Sequence, residues 1–494
     1  MNIAEAKEYI KNTVSIYLKK DEYGDYRIPV MRQRPIFMIG APGIGKTAIM
    51  EQVASELGIA LVSYSMTHHT RQSALGLPFI EKKEYGGRTY DVSEYTMSEI
   101  IASIYETMER SGVKEGILFL DEINCVSETL APSMLQFLQY KEFGRHSVPE
   151  GWAIVTAGNP PEFNRSVREF DVVTLDRLKV LEIEADYPAW RSYATDKGLH
   201  SSILNFLDIK KDYFYHVETT SSGMSYTTAR GWEDLSDIIY LYEESGYKVT
   251  ETLIGQYIRN DKVVREFGAY YDLFNKYKES YRVSEILKGD IPEDTIVKAS
   301  EAPLDEKLSL VGILLDTVKT ELKDIMNAAT DLKEMRPGLK AVRESDDIKD
   351  AISKQIGART TILESRAKAG ALPADEAAKH KRIRAFYNTL LTRLTEEEPA
   401  DQGEFITAVF NEKLSELKSK TVKEQERIHN LFTLMSRAFG DESNEMLIAV
   451  TELTVHKQSA EFFATFGSED YNRYNEILMV TDRKDSLRQE ILSL

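Results

Sequence analysis

The run Gly40-Ala41-Pro42-Gly43-Ile44-Gly45-Lys46-Thr47 constrains this chain more than any other stretch. It follows the apolar segment Ile36-Phe37-Met38-Ile39 and leads into a helical pattern from Ala48 to Leu57. A G-x-x-x-x-G-K-[ST] pattern set between a strand and a helix is a phosphate loop. Its glycines let the backbone turn around an anion with no Cβ in the way. Successive N–H groups and the helix N-terminus then face the phosphate. Gly40, Ala41, Pro42, Gly43, Ile44, Gly45, Lys46, Thr47 and Ala48 are therefore the candidate nucleotide-binding residues. Lys46 is expected to reach the β- and γ-phosphates of ATP, and the Thr47 hydroxyl to ligate Mg²⁺.

A second signal lies downstream in Gly116-Ile117-Leu118-Phe119-Leu120-Asp121-Glu122. A continuous apolar run is what a strand buried on both faces of a parallel sheet requires. Carboxylates at its C-terminal end stand where such sheets bind ligands. Asp121 is expected to hold Mg²⁺, directly or through water, and Glu122 to polarise the attacking water. A third buried run, Ala153-Ile154-Val155-Thr156-Ala157, ends in Gly158-Asn159-Pro160-Pro161. An amide at Asn159 would stand in line with Asp121 and orient water against the γ-phosphate.

The surrounding chain reads as alternating elements. Ile3, Ala6, Ile10, Val14 and Tyr17 share one helical face. Tyr23, Tyr26 and Ile28 are candidates to pack near a nucleotide base. Ala60 to Tyr64 reads as a strand, and 84–90 as a hairpin with Gly86-Gly87 at its tip. Met97 to Met108 and Leu130 to Tyr140 read as helices, and 140–152 as a hairpin.

Length suggests about three domains. The N-terminus lacks the basic start and unbroken apolar stretch of a signal peptide. No run reaches the roughly 18 apolar residues of a membrane span. A single cysteine, Cys125, excludes an intrachain disulfide and a multi-cysteine metal site. These features point to the cytoplasm. A formal net charge of −18 argues against broad binding to nucleic acid, which needs a basic face.

Together, the phosphate loop, Leu120-Asp121-Glu122-Ile123-Asn124, Pro149-Glu150-Gly151-Trp152, Ala157-Gly158-Asn159-Pro160 and Thr227 to Leu235 resemble the AAA+ ATPases, and within them the MoxR family. The resemblance covers roughly residues 3 to 240. It implies that Asn159 is the first sensor residue. It implies that Leu175-Asp176-Arg177-Leu178 carries the arginine finger, Arg177, with Leu178 where the family usually has Phe. Arg168 is the alternative finger, near Arg165. The excursion from about Leu75 to Tyr95 and the segment Tyr140 to Trp152 resemble loops that line the pore of related rings. Tyr85, Tyr90 and Phe143 there are either grips on a partner or ordinary packing aromatics. Thr227 to Leu235 resembles the start of the second-sensor helix, with a threonine cap and Arg230 directed at the γ-phosphate of its own subunit.

The expected fold is α/β: an AAA+ phosphate-loop core with a parallel sheet (residues 1–185), a small helical lid (186–285) and an all-α C-terminal domain (286–494). The last has helical periodicity at 308–332, 348–368, 376–395, 404–419, 421–439, 443–466 and 471–494, with breaks at Gly338 and at 370–373. It is a structural domain, a partner-docking arm, or both. The resemblance further implies a ring, expected to be a hexamer, that hydrolyses ATP with Mg²⁺ to remodel or activate a partner. That partner is a separate chain such as a von Willebrand factor A domain protein. A nucleic-acid-linked motor of a defence or nuclease system and a nucleotide-gated scaffold remain the alternatives.

Overall fold

The structure is a computed structural model, and it describes residues 1–68, 72, 74, 76–143, 145–163, 167–220, 223–368 and 374–477. The expectations placed on Leu75, Gly144, Arg165, 370–373 and 478–494 lie outside these residues. The chain divides into two units, Met1–Asp186 with Lys354–Ala385, and Tyr187–Ser353 with Phe386–Leu494.

Along the chain the first unit runs α1 (Ile3–Tyr17), β1 (Ile36–Gly40), α2 (Lys46–Leu57), β2 (Ala60–Ser65), β3 (Pro78–Tyr85), β4 (Arg88–Tyr95), α3 (Glu99–Ser111), β5 (Gly116–Asp121), α4 (Ala131–Tyr140), β6 (Glu142–Phe143), β7 (His146–Ser147), β8 (Trp152–Gly158), α5 (Val172–Leu175) and β9 (Lys179–Ile183). Five strands make one sheet in the order β2-β5-β8-β1-β9, and every pairing is parallel. The apolar runs read from sequence explain this arrangement. Ile117, Leu118, Phe119 and Leu120 are wholly buried, as are Trp152, Val155 and Ala157. A strand so apolar on both faces must be covered on both, which a parallel sheet with helical crossovers provides. Because all five strands run one way, β1, β5 and β8 end at the same edge.

Helix α1 opens on a capping box of Asn2 and Glu5 and buries Ala6, Ile10, Val14 and Tyr17. Its first residue, Ile3, lies against Gly45 of the phosphate loop. The following loop crosses to the opposite edge of the sheet. There the Tyr26 hydroxyl donates to Glu115 Oε1 at 2.9 Å, just before β5 begins. Tyr26 therefore does not pack near a base, contrary to the sequence expectation, and Tyr23 is exposed. The hairpin expected at 84–90 is a longer ribbon, β3 with β4, with Gly86 and Gly87 at positive φ at its tip. Between α4 and β8 the expected hairpin shrinks to β6 and β7. Strand β9 is legible only afterwards: at the sheet's edge its Val180 and Glu182 are exposed, so no apolar run marks it.

The second unit begins with α6 (Tyr187–Lys197), α7 (Ser201–Ile209), the ribbon β10 (His216–Thr220) and β11 (Gly223–Thr227), α8 (Ala229–Glu244), α9 (Glu251–Tyr257), α10 (Asp261–Ser280), α11 (Val283–Leu287), α12 (Glu293–Glu301) and α13 (Leu304–Arg343). Helices α14 (Ile348–Lys368) and α15 (Ala374–Glu397) follow in the chain, their residues 354–385 belonging to the first unit, and then α16 (Gln402–Phe439), α17 (Asn444–Val455) and α18 (Lys457–Phe466) of the second. The region is largely helical, as expected, with three corrections. Gly338 is no break, because α13 continues through Pro337 and Gly338 to Arg343. Burial of Met335, Leu339 and Val342 on one face holds that segment helical against local propensity. The patterns at 404–419 and 421–439 form the single helix α16. The pattern at 443–466 is split at His456, whose side chain caps α18 by accepting from the Ser459 N–H.

Two buried polar links join the front of this unit to its later helices. The Ser201 N–H donates to Asp316 Oδ2 at 3.1 Å, and Asn205 Nδ2 donates to the Leu308 carbonyl at 3.3 Å. Among the described residues, no helix is long and apolar enough to cross a membrane.

Candidate nucleotide site

The site is built where β1, β5 and β8 end. Gly43 and Gly45 hold φ of 75° and 99°, a region that L side chains resist. Gly40 has a steric reason as well: a Cβ there would stand 2.5 Å from the Ile183 carbonyl oxygen of β9. The first helical bond of α2 runs from the Ile49 N–H to the Gly45 carbonyl at 3.1 Å. The Thr47 and Ala48 N–H groups therefore lack intrahelical acceptors and lie at the positive end of α2.

Lys46 is buried, and its ammonium donates to the Gly40 carbonyl at 2.6 Å, the Ala41 carbonyl at 2.8 Å and Asn159 Oδ1 at 3.0 Å. The Thr47 hydroxyl donates to Asp121 Oδ2 at 2.9 Å. The structure thus brings the loop's lysine and threonine onto the ends of β8 and β5. Asp121 and Thr47 present two adjacent hard oxygens. Among the described residues no group of three or more His, Cys, Asp or Glu could hold a metal. Mg²⁺ fits this sparse set, because it keeps waters and takes phosphate oxygens for its remaining positions.

Glu122 sits just past β5 in a left-handed conformation, φ 56° and ψ 35°. Such a backbone is costly for a residue with a Cβ and turns its side chain out of the strand's alternation. Its Oε2 accepts from the Ser65 hydroxyl at 3.0 Å and the Thr67 hydroxyl at 3.0 Å. Ser65 ends β2 directly opposite Asp121 in the parallel register. Sequence reading missed both hydroxyls, since nothing local to Ser65 or Thr67 shows that they adjoin Glu122.

Asn124 was also missed as a separate contributor. It is buried, and its Nδ2 donates to the Asn159 carbonyl at 2.8 Å. Its own carbonyl accepts from the Arg168 N–H at 2.9 Å. A Cβ on Gly158 would come within 2.4 Å of Asn124 Oδ1, so the glycine makes room for this contact. The β8 tip is thereby joined to the β5 tip through Asn124 and to the end of β1 through Lys46. Nearby, burial pushes the Cys125 thiol up, and the Glu122 and Asp121 carboxylates push it further, which disfavours the reactive thiolate.

The side chains of Arg177 and Arg168 make none of the hydrogen bonds described above among the described residues. Arg177 follows α5 and is exposed, with no side-chain hydrogen bond or ion pair among the described residues. Val172 and Val173 beside it are 82% and 58% exposed. Arg168 Nη2 pairs with Glu128 Oε1 at 2.5 Å. Arg230 belongs to the second unit, exposed in the first turn of α8. That helix opens on Thr228, whose hydroxyl accepts from the Gly231 N–H at 3.1 Å, as its sequence implied.

Residues 36–171 match the family described as AAA, the ATPase family associated with various cellular activities. A crystal structure of the FIGL-1 AAA domain in complex with ADP is similar at 14% identity, over 56% of this chain and 88% of that one, with a TM-score of 0.31. No curated protein matches the sequence.

Proposed function

With residues 36–171 forming an AAA domain, we propose that this chain is a MoxR-like ATPase that couples ATP hydrolysis to remodelling or activating a partner protein. The observation that carries the reading is the convergence of Lys46, Thr47, Asp121, Glu122 and Asn159 on one edge of the parallel sheet. A site meant only to hold a nucleotide needs the loop and a metal-binding acid. It does not need a second carboxylate held by hydroxyls beside them.

In this reading the loop N–H groups and Lys46 bind the phosphates of ATP. Lys46 exchanges its carbonyl acceptors for phosphate oxygens, a stronger charge-assisted contact. Bound Mg²⁺ would neutralise charge on the β- and γ-phosphates, held through Thr47 and Asp121. Glu122 accepts a proton from the attacking water once it gives up one or both hydroxyl donors. Asn159 orients that water or the γ-phosphate. Arg230 is assigned to the same nucleotide and Arg177 to that of a neighbouring subunit. The exposed valines beside Arg177 are consistent with an interface. We further propose a cytoplasmic hexameric ring whose partner is a separate chain, such as one with a von Willebrand factor A domain.

The direct test measures phosphate release with Mg²⁺ and ATP for the full chain, Lys46→Ala and Glu122→Gln. The reading expects turnover in the first and none in the others, with ATP still bound by Glu122→Gln. Full turnover by Glu122→Gln would sink it.

A further inference from the structure

The second unit contains a buried ionic group that the nucleotide chemistry does not use. Arg191 on α6 grips Asp208 through Nε at 3.1 Å to each carboxylate oxygen and through Nη2 at 3.0 Å. The same Nη2 donates to Glu452 Oε1 on α17 at 2.6 Å. The other Glu452 oxygen accepts from Lys319 Nζ of α13. Arg191, Lys319 and Glu452 keep only 16%, 11% and 15% of their side-chain surface. Burial pushes the Glu452 carboxyl up, but Lys319 and Arg191 outweigh it and hold the group at about 2. It is therefore a permanent anion between two cations from helices far apart in sequence.

Helix α6 carries a second set of contacts towards α8. Trp190 Nε1, the Tyr193 hydroxyl and Lys197 Nζ all donate to the Glu233 carboxylate, at 3.4, 3.3 and 2.7 Å. Glu233 lies one turn after Arg230 on α8. A further bond, from the Lys457 N–H to Asp196 Oδ1 at 3.2 Å, pins the end of α6 to the start of α18. Arg230's helix, α6 and the C-terminal helices are thus joined by consecutive polar contacts, of which the Arg191–Glu452 pair is the most buried and the most costly to break.

We propose that the Arg191–Glu452 pair is a positioning device: it fixes α6 to the C-terminal helices and, through Glu233, sets the orientation of the Arg230-bearing helix. The inference rests on the assignment of Arg230 to the γ-phosphate. It gives the C-terminal helices a role in turnover, because a partner that shifts α17 or α13 shifts Arg230 too.

The test compares full-chain Glu452→Gln, Arg230→Ala and the double variant by steady-state ATP turnover, ADP affinity and thermal unfolding. Glu452→Gln should lower kcat on the order of 10- to 100-fold, the scale of a displacement of about 1 Å at a catalytic contact. ADP affinity should stay within about twofold, since that contact is made to the transferring phosphate. In the Arg230→Ala background the Glu452 change should cost nothing more, which a merely structural loss would not reproduce. Glu452→Asp, which keeps the charge, should recover part of the rate. Where Glu452→Gln fails to fold, the pair Glu452→Met with Lys319→Met removes one charge of each sign and leaves Arg191 its Asp208. That variant should show the same loss of kcat. Wild-type turnover by a folded Glu452 variant, or losses that multiply with Arg230→Ala, overturns the inference while Arg230 keeps its role. Undiminished turnover by Arg230→Ala alone overturns both.

Discussion

The Lys46 ammonium donates to the Asn159 side-chain oxygen at 3.0 Å, tying the start of α2 to the tip of β8. Loss of this acceptor leaves Lys46 with the Gly40 and Ala41 carbonyls. Asn159→Ala should therefore keep ADP affinity while kcat falls by about 10²-fold, the usual cost of one oriented polar group at a transition state. Calorimetry with ADP beside steady-state turnover checks this. Equal losses in affinity and rate would mean that Asn159 only supports the loop.

The hydroxyls of Ser65 and Thr67 both donate to Glu122 Oε2. Each bond must be given up, at a net cost of about 0.5–1.5 kcal/mol, before the carboxylate turns to water. The double variant Ser65→Ala, Thr67→Ala should raise basal kcat up to about tenfold with the KM for ATP unchanged. A fall in kcat would show instead that the hydroxyls hold Glu122 in its working position.

Glu424 on α16 is buried, with Oε2 paired to Arg427 Nη1 at 3.2 Å and Oε1 without a hydrogen-bond partner among the described residues. Burial pushes its carboxyl up to about 7, against the opposing pull of Arg427, and Glu321 adds to the rise. The folded value thus exceeds the unfolded one near 4.5. Its contribution to stability is complete below the unfolded value and is lost as pH rises through about 7. Glu424→Gln should raise Tm relative to the parent at about pH 8 and do so less at about pH 5. Thermal unfolding at both values is the measurement. A Tm difference independent of pH would remove the charge argument.

If Glu122 acts in its own subunit and Arg177 in the next, the two single mutants fail for different reasons. Removing an arginine finger costs on the order of 10³- to 10⁵-fold in rate. A mixture of Glu122→Gln and Arg177→Ala subunits contains some sites with both groups intact. Its ATPase activity should exceed that of either variant alone once labelled protein shows that subunits exchange. If exchange occurs and the mixture stays inactive, Arg177 is not a finger in trans, and Arg168 is next to be tested.

The placement of the phosphate loop and of Asp121-Glu122 at the strand ends was readable in the sequence because each motif is local. Glycines, a lysine and a threonine at fixed spacing act through one backbone turn, and an apolar run ending in two acids is itself a buried strand. The same locality made β1, β5 and β8 legible. Partners supplied from elsewhere were not. Ser65 and Thr67 reach Glu122 only because β2 pairs with β5 in register, and strand pairing leaves no mark on either segment alone. Asn124 gains its contact from the meeting of two strand tips. Helix α13 runs through Pro337 and Gly338 because packing outweighs a propensity cost of a few kcal/mol. The Arg191–Glu452 pair spans 261 positions. Local sequence decides turns, caps and apolar faces through short-range sterics and solvation. Which charges and hydroxyls share a dry interior depends on how those faces meet, and only the tertiary structure decided that.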